Sequence, residues 1–281
     1  MKILQQGKIF VRRVRRSFVW RTIRLMQKQA EWWHVPPVVP PMPEEVQRAL
    51  QLASSALKPL MPTQLLAEEV HWQSPTSITS NQELFSFEGK LLPCWQDSDM
   101  QLYDNWLTDP TNYGYYFELF KAYAQRFQHI QFLEIGVRTG YIGVVFAKAL
   151  RHRGTYYGID PNGYVKNGLS LAANTFRLLR EALPDFQYTL FEGYSWDQNI
   201  QHSVGYTAPY QLIHIDGDHS LAGKLLDLYL ARQWIDASGW ILVDDYDHHP
   251  PVKDALQRAF LLGWFREFAY VPTKRGLAVI R

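Results

Sequence analysis

The feature that most constrains the fold is a glycine turn that follows a short apolar run within residues 132–140. The run Phe-Leu-Glu-Ile contains an acidic residue, Glu134, and the turn then reads Gly136-x-x-x-Gly140-x-x-Gly143. A strand that leads through such a turn into a helix presents backbone N–H groups and a carboxylate to a polar small molecule at the edge of a parallel sheet. The pattern therefore predicts an α/β fold with a cofactor at this turn.

Arg138 narrows the choice of cofactor. A dinucleotide fingerprint needs its second glycine here, because a pyrophosphate must approach bare backbone. The arginine therefore favours S-adenosylmethionine over NAD. We expect Gly136 and Gly140 to shape the turn, and Glu134 to order it and to face the methionine part of the cofactor. The alternative role for Glu134 is to cap the following helix.

Apolar periodicity extends this reading to the rest of residues 113–281. It predicts helices over 115–126, 141–150, 169–182, 221–235 and 252–262. It predicts strands over 131–135, 155–159, 188–191, 211–215, 240–243, 265–270 and 276–280. Strands that alternate with helices indicate crossover units and a parallel sheet. Since no helix separates the last two strands, we expect a hairpin whose final strand is antiparallel to its neighbours. The fold class is thus Rossmann-like α/β with a mostly parallel, seven-stranded sheet and a helical or irregular N-terminal extension.

The N-terminal part divides into three segments. Residues 1–34 form a basic, roughly amphipathic arm, in which nine Lys and Arg residues precede the first acidic residue, Glu31. This arm either docks on an anionic membrane or an acidic partner, or is a solvated or oligomer-packing helix. Residues 35–43 are a proline-rich linker, and 44–112 are a helical and cap region in which Pro59 and Pro62 interrupt the pattern.

Composition limits the cellular setting. The single cysteine, Cys94, excludes an internal disulfide and fits a reducing compartment. No run approaches the roughly 18 apolar residues that span a bilayer, and the basic start lacks the apolar core of a secretory signal. We therefore expect a cytoplasmic protein, with peripheral membrane contact through the arm as an option. The basic residues precede the linker rather than surround the site, which argues against a nucleic-acid substrate.

Acidic residues follow the strands at four ends. Glu134 lies in the first strand, Asp160 after the second, Asp216 after the fourth, and Asp244 with Asp245 after the fifth. Ligands of open α/β sheets bind outside these carboxyl ends. One such residue is usually a helix cap, but four ends in a row indicate a site.

Asp160 is the candidate for ribose recognition. It stands at the tip of the second strand, where an acidic side chain accepts both hydroxyls of an adenosine ribose. Asp216, beside the turn, is a further candidate cofactor contact.

Asp216, Asp244 and Asp245 are also candidate metal ligands. Three unpaired carboxylates at adjacent strand ends would raise one another's pKa, and a divalent cation relieves that repulsion. Oxygen ligands suit Mg²⁺, Mn²⁺ or Ca²⁺ better than zinc. The nearby histidines keep a transition metal as an alternative, and a purely structural polar cluster is another. Such a cation would lower the pKa of a hydroxyl and align it with a methyl sulfonium.

A base must take the proton of that hydroxyl. Asp218 and His219 follow the first ligand by two and three residues. The intrinsic pKa of His219 is the better matched to this task, whereas Asp218 could serve if the metal has already acidified the hydroxyl. A capping role is the alternative for His219, and the sequence leaves the choice open.

These motifs together resemble a known family. The segments Leu133-Glu-Ile-Gly-x-x-x-Gly140, His214-Ile-Asp-Gly-Asp-His219 and Val243-Asp-Asp-Tyr246 resemble the class I S-adenosylmethionine-dependent methyltransferases. Within these they resemble the metal-dependent macrocin-, mycinamicin- and novobiocin-type sugar O-methyltransferases and cephalosporin hydroxylase-like proteins. The resemblance covers about residues 113–281, and it implies Mg²⁺ at the three aspartates and a base at Asp218 or His219.

The sequence thus predicts an S-adenosylmethionine-dependent, Mg²⁺-assisted O-methyltransferase. Its partner would be a small-molecule hydroxyl acceptor, such as a sugar or another polyhydroxylated compound, and a homo-oligomer is compatible with the extension. Two other classes stay open: a different enzyme on the same scaffold, NAD-dependent or hydroxylase-type, and a non-catalytic binding module.

Overall fold

The computed structural model describes residues 42–70, 78–96, 113–151, 153–165 and 167–281. The predictions for the arm at 1–34 and for most of the linker lie outside the described residues. So does a large part of the predicted cap.

The described residues form the following elements. The helices are α1 (Glu44–Gln51), α2 (Gln64–Glu69), α3 (Asn81–Leu84), α4 (Tyr113–Ala124), α5 (Tyr141–Leu150), α6 (Gly168–Ala182), α7 (Gln198–Thr207), α8 (Leu221–Trp234) and α9 (Pro250–Leu261). The strands are β1 (Ser86–Phe87), β2 (Lys90–Leu91), β3 (Ile130–Ile135), β4 (Gly154–Asp160), β5 (Gln187–Glu192), β6 (Tyr210–Ile215), β7 (Ile235–Val243), β8 (Phe268–Val271) and β9 (Leu277–Ile280). Single 3-10 turns occur at Ser54–Ala56 and Pro93–Gln96.

The main sheet has seven strands in the order β5-β4-β3-β6-β7-β9-β8. The pairs among β3, β4, β5, β6 and β7 are parallel. Strand β9 lies between β7 and β8 and is antiparallel to both. The predicted Rossmann-like sheet with an antiparallel final strand is confirmed.

Alternating side chains bury both faces of the sheet. In β3, Phe132 packs into the core beneath α4, α5 and α6, whereas Leu133 and Ile135 pack into the core on the opposite face, with α7, α8 and α9. A sheet covered on both faces needs apolar residues at nearly every central position. Glu134 and His214, on neighbouring strands, are buried exceptions to that rule.

The extension packs on the sheet domain through α1. Arg258 of α9 is 4% exposed, and its guanidinium donates to the carbonyls of Ala49 (2.8 Å) and Leu52 (2.7 Å). Both carbonyls lie at the C-terminal end of α1, where no further turn of helix follows, and that of Ala49 also accepts the N–H of Leu52 (3.3 Å). The helix predicted from residue 44 ends at Gln51, and the next helix, α2, begins after Pro59 and Pro62.

Two features differ from the sequence prediction. Helix α7 was not predicted, because only Ile200 and Val204 of its ten residues are buried and the apolar signal is weak. Strand β7 begins at Ile235, five residues earlier than predicted, and a register shift lies beside Tyr210. None of the helices in the described ranges is long and apolar enough to cross a bilayer.

Candidate functional site

The glycine turn lies against the end of β6. Gly136 and Gly140 have φ values of +94° and +93°, a conformation that residues with a Cβ rarely adopt. A Cβ on Gly136 would lie 2.5 Å from the carbonyl carbon of Asp216 and 2.8 Å from the nitrogen of Gly217. The turn predicted to hold the cofactor is therefore in direct contact with the first acidic strand end.

Asp160 lies beside the same turn. Its Oδ2 accepts a hydrogen bond from the main-chain N–H of Arg138 (2.8 Å), and its Oδ1 accepts one from Asn162 (2.6 Å). Burial raises the pKa of this carboxyl, while the two N–H donors oppose that rise. Since a carboxylate has about four lone-pair positions, both oxygens can still accept from the hydroxyls of a diol. Its ribose-binding role stays a prediction, and its position fits that role.

Glu134 has partners within the sheet. It is 2% exposed, its Oε2 accepts from the hydroxyl of Tyr156 (2.5 Å), and its Oε1 lies 3.4 Å from Nδ1 of His214. Burial raises the pKa of this carboxyl. The Nε2 of His214 in turn lies 3.2 Å from the hydroxyl of Tyr116. The alternative capping role for Glu134 is not what these contacts show, because its carboxylate links β4 to β6. Its contact with a cofactor stays a prediction.

The three aspartates at the ends of β6 and β7 affect one another electrostatically. Burial raises the pKa of Asp244 to about 6, and the charges of Asp216 and Asp245 add to that rise. The Oδ1 of Asp244 is buried and has no hydrogen-bond partner among the described residues. An acceptor left without a partner in this way is costly, so this oxygen is suited to bind a cation.

Positive side chains already oppose this negative charge. Nη1 of Arg275 lies 3.2 and 3.3 Å from the two carboxylate oxygens of Asp245. Although burial alone would raise the pKa of Asp245, a hydrogen bond from His219 and the charge of Arg275 hold it well below its usual range. The expectation of three unpaired carboxylates is therefore wrong for Asp245, and for Asp216, which His219 contacts, while the Oδ1 of Asp244 fits it.

His219 lies between two of the aspartates. Its Nε2 is 3.2 Å from Asp216 Oδ1 and 2.9 Å from Asp245 Oδ2. Burial alone would lower the pKa of this imidazole, but hydrogen bonds to both carboxylates raise it to about 9. The same Asp245 Oδ2 lies 3.5 Å from Nε2 of His249. His219 is therefore within the acidic cluster, and His249 flanks it.

The contacts of Asp218 differ from those of His219 and lie outside the acidic cluster. Its Oδ1 accepts from the main-chain N–H of Ser220 (2.8 Å) and its Oδ2 from the Ser220 hydroxyl (2.9 Å). The Ser220 hydroxyl accepts from the N–H of Gly223 and so caps α8. The structure thus places Asp218 at the start of α8, as part of a cap, and it brings His219 rather than Asp218 into contact with the acidic cluster.

Sequence reasoning missed some members of the site. Arg275 lies in the turn between β8 and β9, thirty positions after Asp245, and its approach depends on β9 pairing with β7. Tyr116 of α4 reaches His214 across the sheet face, and no local motif marks it. His249, by contrast, is one of the histidines near the acidic motif that kept a transition metal open as an alternative at the level of sequence.

The donor set fits both groups that the sequence predicted. Asp160 and the turn N–H groups supply the acceptors and donors that an adenosine ribose and a methionine moiety need. Asp216, Asp244 and Asp245 supply carboxylate oxygens of the kind that hard dications prefer, and the partnerless oxygen of Asp244 belongs to that set.

Residues 133–246 match a family model described as a methyltransferase domain. The match begins in β3, includes the glycine turn and the strand ends with Asp160 and Asp216, and finishes at Tyr246. Over this part of the chain, which is less than half of its length, the sequence is similar to a methyltransferase domain. No curated protein sequence matches the chain significantly.

Solved structures match parts of the chain at low identity and with TM-scores below 0.5. TDP-rhamnose 3'-O-methyltransferase, an enzyme in calicheamicin biosynthesis, is 15% identical with a TM-score of 0.48, and the similarity covers 59% of this chain and 76% of that one. A protein from Klebsiella pneumoniae, provisionally described as an O-methyltransferase, is 14% identical with a TM-score of 0.46 over 86% of this chain and 91% of that one.

Proposed function

We propose that this protein is an S-adenosylmethionine-dependent methyltransferase that transfers the methyl group to a hydroxyl of a sugar or another polyhydroxylated small molecule, with the help of a bound divalent cation. The observation that supports this most directly is the contact between the glycine turn and the acidic cluster. The N–H of Asp216 donates to the carbonyl of Ile135 (2.8 Å), immediately before the turn. A cation-bound hydroxyl at the cluster would therefore lie next to the cofactor.

The chain's own groups have separable tasks in this reaction. Asp160 holds the ribose, and the turn from Gly136 to Gly140 positions the methionine part. Asp216, Asp244 and Asp245 hold the cation. Bound S-adenosylmethionine supplies the methyl group on a sulfonium, and a dication, for which Mg²⁺ is the sequence's candidate, lowers the pKa of an acceptor hydroxyl.

His219 is the better placed of the two candidate bases. As the methyl group bonds to oxygen, the hydroxyl proton must pass to a nearby acceptor atom. Asp218 has both oxygens engaged by Ser220, whereas His219 lies among the carboxylates. A pKa of about 9 means that His219 holds a proton at neutral pH in the metal-free site, so it must lose that proton before it can act as a base.

Binding of S-adenosylhomocysteine by calorimetry tests the cofactor half of the proposal. Asp160→Ala removes an acceptor of two hydrogen bonds, each worth about 1.5–3 kcal/mol at a charged group, so we expect affinity to fall at least about 100-fold. Asp185→Ala is the matched control, because this exposed aspartate lies just before β5, away from the carboxyl ends of the strands. Unchanged affinity in Asp160→Ala would remove the ribose assignment.

Transfer of labelled methyl groups to a panel of nucleotide-linked sugars, free polyols and catechols tests the acceptor half. We expect turnover on a polyhydroxylated acceptor, and we expect excess EDTA to abolish it until a divalent cation is restored. Turnover that is unaffected by EDTA would refute cation assistance. Methylation only of nitrogen or carbon acceptors would refute O-methylation.

A further inference from the structure

Two histidines and one aspartate converge at the end of β7. His219, Asp245 and His249 each offer one ligand atom, and these three atoms lie within 4.8 Å of one another. We call these three residues the His-Asp-His triad. Among the described residues, these are the three potential metal ligands whose donor atoms lie closest to one another.

We propose that the His-Asp-His triad binds a first-row transition-metal dication rather than Mg²⁺. Two of the donor separations are 2.9 and 3.5 Å, each measured from Asp245 Oδ2 to one of the histidine nitrogens. Ligands bound at about 2.1 Å from a metal stand roughly 3.0 Å apart in an octahedron and roughly 3.4 Å apart in a tetrahedron. The two separations from Asp245 therefore match those of ligands that share one metal.

The backbone brings His249 back over Asp245. Asp245 has a φ of +61°, in the left-handed region that aspartate tolerates better than most residues. The carbonyl of Asp245 accepts the N–H groups of His248 (3.1 Å) and His249 (3.0 Å), which closes a turn just before α9. The ring of His249 then lies 4.4 Å from that of His219, centroid to centroid, at a 33° tilt. The triad is thus held by the local fold.

Arg275 holds the carboxylate of Asp245 in a fixed orientation. Its guanidinium lies 3.2 Å from Oδ1 and 3.3 Å from Oδ2, on a carboxylate that is completely buried. Groups that hydrogen-bond a coordinating carboxylate fix its orientation and contribute to metal affinity. Asp245 can therefore direct Oδ2 at the histidines while Arg275 contacts it from another direction.

The two histidine nitrogens favour a transition-metal dication over Mg²⁺. Mg²⁺ binds through oxygen and retains several waters, whereas imidazole suits zinc, iron, cobalt and nickel. A set of two histidines and one carboxylate leaves coordination positions open, as in catalytic sites. The partnerless Oδ1 of Asp244 and the carboxylate of Asp216 lie in the same cluster, where a further ligand or an acceptor hydroxyl would bind.

The proposal rests on the proposed function for the purpose of the cation, but the ligand set can be tested without any methyl acceptor. Coordination through Nε2 would occupy the His219 atom that the proposed function uses as a base, so with the triad loaded the hydroxyl proton would pass to another group. A hydroxyl acidified by the cation needs only a weak base, and the neighbouring carboxylates supply one. The competing reading is an ion-pair network in which a protonated His219 alone bridges Asp216 and Asp245.

Cobalt(II) titration of the full-length, tag-free protein distinguishes these readings. Cobalt coordinated by nitrogen and oxygen absorbs visible light, so binding is observed directly. Since loss of an outer-shell partner alone costs about 10–100-fold in metal affinity, His219→Ala and His249→Ala should each weaken cobalt binding at least tenfold. His248→Ala is the matched control: it is an exposed histidine one position away, outside the triad, and should bind cobalt as the wild type does.

Two further measurements complete the test. A tenfold excess of Mg²⁺ over cobalt should leave the visible spectrum unchanged, and calorimetry with S-adenosylhomocysteine should show cofactor binding in all four proteins. Equal cobalt affinity in the wild type and both triad variants, or displacement of cobalt by Mg²⁺, would overturn the proposal. Absence of cobalt binding with intact cofactor binding would overturn it while leaving the methyltransferase activity in place. Loss of cofactor binding in the wild type would instead contradict the proposed function.

Discussion

Replacing Gly136 with alanine perturbs the contact on which the site depends. A new Cβ would lie 2.5 Å from the carbonyl carbon of Asp216 and 2.8 Å from the nitrogen of Gly217, with the Asp216 carbonyl oxygen closer still. All three neighbours are backbone atoms, so no side-chain rotation relieves the overlap. The end of β6 must therefore move away from the turn, or the turn must change its conformation.

The expected cost combines two terms. A residue with a Cβ pays roughly 1–2 kcal/mol for a left-handed backbone conformation, and Gly136 has a φ of +94°. Overpacking typically adds about 1–3 kcal/mol. We expect Gly136→Ala to lower the free energy of unfolding by about 3 kcal/mol, which in a domain of this size lowers Tm by about 6–12 °C. Binding of S-adenosylhomocysteine should fall as well, because Asp216 and the turn separate.

Urea denaturation, thermal unfolding and calorimetry measure these effects. The matched control is Gly205→Ala, at an exposed position within α7, where the nearest atom to a new Cβ is Trp234 Nε1 at 3.8 Å. Alanine in a helix interior gains about 0.5–1 kcal/mol over glycine, so the same substitution should stabilise the protein there. If Gly136→Ala unfolds within about 0.5 kcal/mol of the wild type and binds the cofactor normally, the proposed packing of turn against strand end is refuted.

Three other perturbations have defined outcomes. Because the pKa of His219 is raised to about 9 in the folded protein, the metal-free protein should lose stability as pH rises from about 6.5 to 9, and thermal unfolding of His219→Gln should lack that slope. Arg258→Ala leaves buried carbonyls unsatisfied and should cost about 2 kcal/mol or more in urea unfolding, whereas Arg177→Ala, in an exposed ion pair, should change stability by less than about 0.5 kcal/mol. Deletion of residues 1–34 should abolish co-sedimentation with anionic liposomes, and equal pelleting of both proteins would reject the membrane role of the arm.

The sequence predicted the sheet and the side chains at its edge for a simple reason. Parallel strands end at one edge, so an acidic residue after each strand must join a common cluster there. Asp160, Asp216, Asp244 and Asp245 obey this rule, and the rule needs no tertiary information beyond the strand pattern. The hairpin order also followed, because no helix separates the last two strands.

The strand pattern does not predict in which direction each side chain points or which residue it contacts. Asp218 and His219 are neighbours on one turn, yet the Asp218 carboxylate binds Ser220, the N-cap residue of α8, whereas the His219 ring lies in the acidic cluster. Their separation depends on the backbone path after Gly217, which periodicity does not encode. Helix α7 was missed because a helix that buries two side chains has almost the composition of a loop.

Arg275 is thirty positions from Asp245 in the sequence, yet it contributes directly to the charge balance of the acidic cluster. With Asp216, Asp244 and Asp245 ionised, Arg275 and a protonated His219 leave one negative charge in excess. A dication that replaces the proton of His219 removes that excess while keeping Arg275 on Asp245. In the Arg275→Met variant, the metal-free cluster would instead hold two excess negative charges. It should then be less stable when metal-free, and a bound dication should stabilise it more than it stabilises the wild type, a difference that thermal unfolding with and without cobalt would show.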